Sequence, residues 1–179
     1  MGSKITYKGQ VLELVDDFMD IGYMAEDIVI CNQDSQQKTI HKSNQDRSMT
    51  VFVSFPFAKE QFLEEILRLD AFFSHIQVGV NCYFIFDDAK HIQMDLQSKL
   101  KKFKVVFDTQ EEYGNMYGTQ IVTPPLYPAL SKALFLISKD GAIFYIDMPE
   151  DMEKVFDLES LRIELNRAYL TYNGKGCHE

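Results

Sequence analysis

The pattern of hydrophobic and polar residues is most informative between Val51 and Ser74. Val51–Phe55 is an almost continuous apolar run, which is typical of a strand buried on both faces of a sheet. Pro56 ends that strand because proline has no N–H group to donate to a neighbouring strand. Beyond Lys59 the spacing becomes helical, with apolar residues at Phe62, Leu63, Ile66, Leu69 and Phe73. The segment therefore predicts a buried strand followed directly by an amphipathic helix.

The rest of the chain predicts strands that alternate with helices. Before the central segment lie a hairpin of Ile5–Tyr7 and Val11–Val15 about Gly9, a strand at Ile28–Cys31 and a further strand near Lys38–His41. After it, the pattern predicts strand Val78–Phe86, helix Ala89–Lys101, strand Lys104–Phe107, helix Glu111–Tyr117, a hairpin of Ala133–Ser138 and Ala142–Asp147, and helix Leu158–Leu170. This alternation favours an α/β fold in which helices cover both faces of a mixed sheet.

Length and composition narrow the class of protein. The 179 residues suit a single domain spanning 1–179, with N-terminal strands in 1–31 and a flexible tail at 171–179. A net charge of −9 disfavours binding to nucleic acid, and no apolar run is long enough to predict a membrane span. No signal peptide is recognisable, and the three separated cysteines fit neither a disulfide framework nor a zinc site. We therefore expect a cytoplasmic protein without a metal or other cofactor.

Several motifs carry a resemblance to a known family. They are the strand that ends in Phe55-Pro56, Arg68 in the first long helix, Cys82 in the following strand, and the segments Asp108–Gly118 and Pro125–Ile146. Together with the order of the elements, they resemble the peroxiredoxins, most closely the thiol peroxidase branch. The resemblance implies a thioredoxin-like fold with a central mixed sheet, flanking helices and an N-terminal β-hairpin extension, usually as a homodimer. It also implies reduction of hydroperoxides by a peroxidatic cysteine in the first turn of the helix after the Phe-Pro strand.

The motif that carries this chemistry is changed in the present chain. In the family, proline is followed by three residues, then threonine or serine, two further residues and cysteine, and an arginine reaches in from a later strand. Pro56 is retained, but Glu60, Leu63 and Lys132 stand at the other three positions, and Ile92–Leu96, the region of the resolving cysteine, has no cysteine. Peroxide reduction needs a thiolate, so the pattern predicts that this reaction is lost. We expect a Glu60–Lys132 ion pair in place of the thiolate and arginine.

Other candidate residues favour structural interpretations. Cys31 and Cys82 lie in apolar strands and are expected to pack as small hydrophobic residues. Cys177-His178 in the tail places an accessible thiol beside an imidazole, so Cys177 joins Cys82 as a candidate redox thiol. Glu64 and Glu65 are expected on the solvent face of the central helix.

Three hypotheses of function remain open at this point. In the first, the protein is a non-catalytic binding or interaction module, and the proline-rich loop Thr123–Pro128 exposes Leu126 and Tyr127 to a partner. In the second, it is a thiol-dependent peroxidase or antioxidant oxidoreductase that uses Cys82 or Cys177. In the third, it binds a small molecule in the former active-site hollow, which is lined by Pro56, Phe57, Glu60, Leu63 and Lys132.

Overall fold

A computed structural model describes residues 3–16, 18–124 and 126–171. The strands are β1 (Lys4–Tyr7), β2 (Gln10–Glu13), β3 (Ile28–Cys31), β4 (Gln37–Ile40), β5 (Met49–Ser54), β6 (Val80–Phe86), β7 (Lys104–Phe107), β8 (Gln120–Ile121), β9 (Ala129–Leu130), β10 (Ala133–Ile137) and β11 (Ile143–Asp147). The helices are α1 (Glu60–Ser74), α2 (Glu112–Met116) and α3 (Leu158–Thr171), with short 3₁₀ helices at Ala89–His91 and Gln97–Lys99. None of the helices in the described ranges is long and apolar enough to span a bilayer.

A seven-stranded mixed sheet forms the centre of the fold, in the order β11-β10-β5-β6-β7-β3-β4. β5, β6 and β7 run parallel to one another, and the remaining strands join antiparallel. The predicted hairpin of β10 and β11 turns through Asp140-Gly141, where Gly141 has a φ of 94° that favours glycine. The sheet and its helices confirm the expected α/β class and the thioredoxin-like architecture.

The alternation of side chains along the central strands divides the core into two layers. Val53 of β5 and Leu134 of β10 face the layer that contains α1 and α3, whereas Phe52 and Phe135 face the layer that contains Tyr113 of α2. Every residue of β5 and β10 is buried. Because both faces of these strands are covered, their sequences are almost continuously apolar.

The N-terminal hairpin of β1 and β2 forms as expected and is fastened to distant parts of the chain. The Thr6 amide donates to the Glu150 carbonyl at 2.7 Å, and the Met152 amide donates to the Thr6 carbonyl at 2.9 Å. An isolated bridge joins Leu14, just after β2, to Ile121 of β8. The hairpin therefore connects the segment after β11 with the loop region around β8.

The predicted helix over Ala89–Lys101 is wrong. Only two short 3₁₀ helices occur in this described region, although Leu96 is buried in the core layer of α1. The Asp70 carboxylate of α1 accepts three backbone N–H groups at 2.7–2.9 Å, those of Lys101, Lys102 and Phe103. These bonds fix the backbone at and just beyond the end of the predicted helix. Within it, the His91 carbonyl accepts the Ala58 amide at 2.9 Å, and Leu96 reaches the core from a turn.

Candidate functional site

The first turn of α1 follows β5 through a short loop that begins at Pro56. α1 begins at Glu60, and the Leu63 amide donates to the Lys59 carbonyl at 3.3 Å. Leu63 is half-buried in this first turn and packs against the core layer of α1. The Glu60 side chain is 74% exposed, with the Lys8 ammonium 4.0 Å from its carboxylate. An alkyl side chain thus lies in the turn where the resemblance implies a peroxidatic thiol.

Lys132, between β9 and β10, carries a buried charge. Only 1% of its side chain is exposed, and its Nζ forms an ion pair with the Glu65 carboxylate of α1. The same Nζ donates to the Lys154 carbonyl at 2.6 Å, and the other Glu65 oxygen accepts the Phe156 amide at 2.7 Å. Both charged groups are therefore paired inside the protein, as their removal from water requires.

Aromatic rings surround the ammonium group of Lys132. Its Nζ lies 4.8 Å from the ring centroid of Phe156, 5.9 Å from that of Phe55 and 6.0 Å from that of Phe62, within the range of cation–π attraction. Burial lowers the pKa of Lys132, and the hydrogen bond and charge of Glu65 oppose that shift. The lysine thus joins α1 to the segment after β11 and is shielded from solvent.

The expected Glu60–Lys132 ion pair is wrong, and so is the expected exposure of Glu65. Glu65 is 5% exposed and pairs with Lys132, whereas Glu60 faces solvent. Position 65 lies three residues after Phe62 and four before Leu69, so helical spacing puts it on the buried stripe of α1. This spacing was a usable signal, but the charge of a glutamate predicts a solvent position unless its buried partner is known.

Tyr7 of β1 covers the aromatic residues at the start of α1. Its ring stacks on that of Phe62 at a centroid distance of 5.6 Å and meets Phe57 edge-on at 6.0 Å. The residues expected to line one pocket therefore lie in different environments. Pro56 is buried, Phe57 is half-buried, Glu60 faces solvent and Lys132 lies in the interior.

The two cysteines that the structure describes lie in strands. Cys82 of β6 is 3% exposed, and its thiol makes a long contact of 3.9 Å with the Val80 carbonyl. Burial raises the pKa of Cys82, which disfavours its thiolate at neutral pH. Cys31, at the end of β3, is half-buried. The candidate thiol Cys177, with His178, lies outside the described residues.

Among the residues that the structure does describe, no group of three His, Cys, Asp or Glu side chains is placed to hold a metal ion.

A buried polar network, absent from the sequence predictions, lies at the carboxyl ends of the parallel strands. Asp108, directly after β7, accepts the amides of Tyr113 and Gly114 at 3.0 and 2.8 Å. Burial raises the pKa of Asp108 to about 6. The Tyr113 hydroxyl donates to Ser54 Oγ at 2.9 Å, and the Ser54 hydroxyl donates to the Ser131 carbonyl at 2.7 Å. The network joins α2 to β5 and to the segment between β9 and β10. Its Asp108 part could have been predicted, because an acidic residue just before a predicted helix often accepts the first amides of that helix.

The fold that carries this site is similar to the folds of solved peroxiredoxins. Among solved structures, the chain is similar to a peroxiredoxin-like protein from Aquifex aeolicus, with 18% identity, a TM-score of 0.80, and coverage of 94% of this chain and 98% of that chain. It is also similar to the thiol peroxidase from Chromobacterium violaceum (15% identity, TM-score 0.79, 93% and 98% coverage). A third likeness is to the mitochondrial 2-Cys peroxiredoxin from Plasmodium falciparum (14% identity, TM-score 0.62, 88% and 99% coverage). Neither a protein-family model nor a curated protein matches the chain significantly. These likenesses confirm the expected resemblance at the level of the fold.

Proposed function

We propose that this protein is a peroxiredoxin-like protein that lacks the peroxidatic cysteine and acts as a non-catalytic binding or interaction module. The observation that carries the proposal is the buried Lys132–Glu65 ion pair. In the family resemblance, position 132 belongs to an arginine that reaches toward the peroxidatic thiolate. Here the cation is bound to a helix carboxylate and enclosed by aromatic rings, so it is not free to interact with a peroxide.

The chemistry of the first turn of α1 supports the same proposal. A thiolate reduces a hydroperoxide by giving its electron pair to one oxygen, which breaks the O–O bond and releases an alkoxide or hydroxide. The hydrocarbon side chain of Leu63 has no electron pair to give. Cys82 is 3% exposed with a raised pKa, so the alternative function, a thiol-dependent peroxidase, has little support from that thiol.

We further propose that the protein is a cytoplasmic homodimer. Three large apolar side chains around β2 and β8 are exposed, at 55% for Val11, 42% for Val122 and 53% for Tyr127. β2 and this loop are held together, since the Val122 amide donates to the Glu13 carbonyl at 2.9 Å. Clustered exposed apolar residues are typical of protein contact surfaces. Leu126, which was expected to be exposed, is half-buried and packs against the core layer of α1. We call Val11, Val122, Tyr127 and the half-buried Leu126 the hairpin patch, and propose a second copy of the chain as its partner.

Hydroperoxide consumption tests the loss of catalysis. The wild type, Cys82→Ser, Cys177→Ser and the double variant are assayed with a thioredoxin-type reductant, beside an active thiol peroxidase as the control for the reductant. The proposal predicts that all four proteins leave the rate at the protein-free background. Turnover in the wild type that disappears in one of the cysteine variants would overturn the proposal and identify the catalytic thiol.

A further inference from the structure

A groove lies on the sheet where the β3–β4 hairpin diverges from β7. β3 and β7 are paired at a single position, Cys31 with Phe107, so a gap opens beside Lys104, Val105 and Val106. The resulting cavity has a volume of about 450 Å³, which falls within the roughly 300–1,000 Å³ of small-molecule pockets. Its lining residues are separate from Leu63 and Lys132.

Strand register gives the groove an apolar floor and a cationic rim. Tyr83 of β6 is opposite Lys104 of β7, and Val106 points to the same face two residues further along. On the hairpin, Ile30 of β3 is opposite Lys38 of β4. The apolar floor is formed by Ile30, Ile40, Val106 and the partly buried Tyr83. These side chains belong to the core layer that contains α2.

The two rim lysines are exposed, and none of the ion pairs formed by the described residues includes Lys38 or Lys104. Both lysines line the same groove, so an anion bound there would lie beside two positive charges. Asp34, an exposed residue on the turn after β3, is the one acidic side chain in the described lining. The groove therefore combines apolar surface with local positive charge.

The edge of β7 beside the groove is not available to an added peptide strand. The Gln97 side-chain amide donates to the Phe103 carbonyl at 2.9 Å, and its oxygen accepts the Val105 amide at 2.8 Å. The Gln33 side chain donates to the same oxygen at 3.1 Å. An extended peptide binds a sheet edge through just these backbone groups. The geometry therefore favours a compact ligand over a peptide.

We propose that this groove binds a small organic anion with a flat apolar body. The floor and the Tyr83 ring bury the body of the ligand, and the ammonium groups of Lys38 and Lys104 hold its anionic group. This binding function does not rest on the proposed loss of peroxidase chemistry, because the groove shares no residue with that site.

Two fluorescent probes with similar apolar bodies test the proposal. 8-Anilino-1-naphthalenesulfonate carries a sulfonate, whereas N-phenyl-1-naphthylamine is neutral. The proposal predicts saturable binding of one sulfonate probe per chain, with a dissociation constant at least about fivefold below that of the neutral probe. Added salt weakens the binding of the sulfonate probe only, because it screens exposed charges. Equal affinities for the two probes, or no saturable binding, would overturn the proposal.

A matched pair of double variants locates the site. Lys38→Ala/Lys104→Ala removes both rim cations, whereas Lys99→Ala/Lys101→Ala removes two exposed lysines that are outside the lining. We expect the first variant to raise the dissociation constant of the sulfonate probe about fivefold or more, to that of the neutral probe. We expect the control variant to change the dissociation constant of the sulfonate probe by no more than about twofold, because it loses the same net charge but keeps both rim cations. Equal effects of the two variants would place the probe elsewhere and contradict the proposal.

Discussion

The Lys132 ammonium group and the Glu65 carboxylate share a part of the interior from which solvent is excluded. Removing one member of a buried ion pair leaves an uncompensated charge. We therefore expect Lys132→Met to lower the free energy of unfolding by about 3–5 kcal/mol. Urea denaturation, followed by circular dichroism, measures this loss.

The double variant Lys132→Met/Glu65→Leu distinguishes pairing from simple packing. With both charges replaced by apolar groups of similar size, no unpaired charge remains, so the loss is expected to be smaller than the sum of the two single losses. Strictly additive losses would show that the two residues do not stabilise each other.

Asp108 gives the stability a pH dependence. Burial raises its pKa to about 6 from 3.8, so the folded protein binds this proton more tightly than the unfolded chain. The resulting stabilisation is fully present below about pH 4 and is lost as the pH rises through about 6. We expect the free energy of unfolding to fall by about 1 kcal/mol between pH 5 and pH 7.

Asp108→Asn is the variant that checks this assignment. It removes the titrating group, so the slope between pH 5 and pH 7 becomes smaller, even though the loss of one amide acceptor lowers stability at every pH. Asp87, whose pKa burial also raises, leaves a residual slope of the same sign. An unchanged slope in Asp108→Asn would assign the dependence to another group.

At the scale of elements, the sequence pattern predicts a structure well where local residues determine it. Val51–Phe55 becomes a strand because its apolar residues are covered on both faces, and Asp140-Gly141 forms its hairpin because glycine suits the turn. The helix predicted for Ala89–Lys101 does not form, and this segment is bonded to distant residues. The His91 carbonyl accepts the Ala58 amide, and Asp70, about thirty residues away, holds the backbone at its end. No local pattern contains such a contact.

Asp70→Asn tests whether this carboxylate anchors the backbone at the end of the segment. An amide has one acceptor oxygen and no charge, so it cannot replace a carboxylate that is 4% exposed and accepts three backbone N–H groups. We expect a loss of about 2–4 kcal/mol in unfolding free energy and faster hydrogen exchange at Lys101, Lys102 and Phe103. The exposed Asp95→Asn serves as the control and should change stability by less than about 0.5 kcal/mol. Equal effects of the two variants would show that Asp70 does not anchor this backbone.

The candidate site shows the same division between local and distant information. The first-turn position of Leu63 and the burial of Cys82 follow from local patterns, and the structure places both residues as the sequence predicted. The partner of Lys132 depended on a contact that spans 67 positions. The sequence therefore indicated what the first turn lacks, but it could not indicate how the remaining charge is stabilised.

At the scale of the whole molecule, the hairpin patch predicts the oligomeric state. We expect light scattering to give twice the chain mass of 20.8 kDa for the wild type. A charge in the apolar patch is unfavourable when buried, so Tyr127→Glu is expected to weaken the dimer at least about tenfold. Met94→Glu, at a side chain that is 96% exposed and outside the patch, should leave it unchanged. A monomeric wild type would contradict the proposal of a homodimer.

A single-turnover reaction tests, without any choice of reductant, whether the folded protein contains a peroxidatic thiol. The reduced protein is mixed with equimolar hydrogen peroxide and dimedone, and intact mass spectrometry follows the adduct formed with sulfenic acid. We expect adducts at Cys31, Cys82 and Cys177 to form no faster than on free cysteine, because Leu63 occupies the position of the peroxidatic cysteine and burial raises the pKa of Cys82. Rapid and stoichiometric formation of an adduct at one cysteine of the folded protein would contradict the account and reveal a relocated active site.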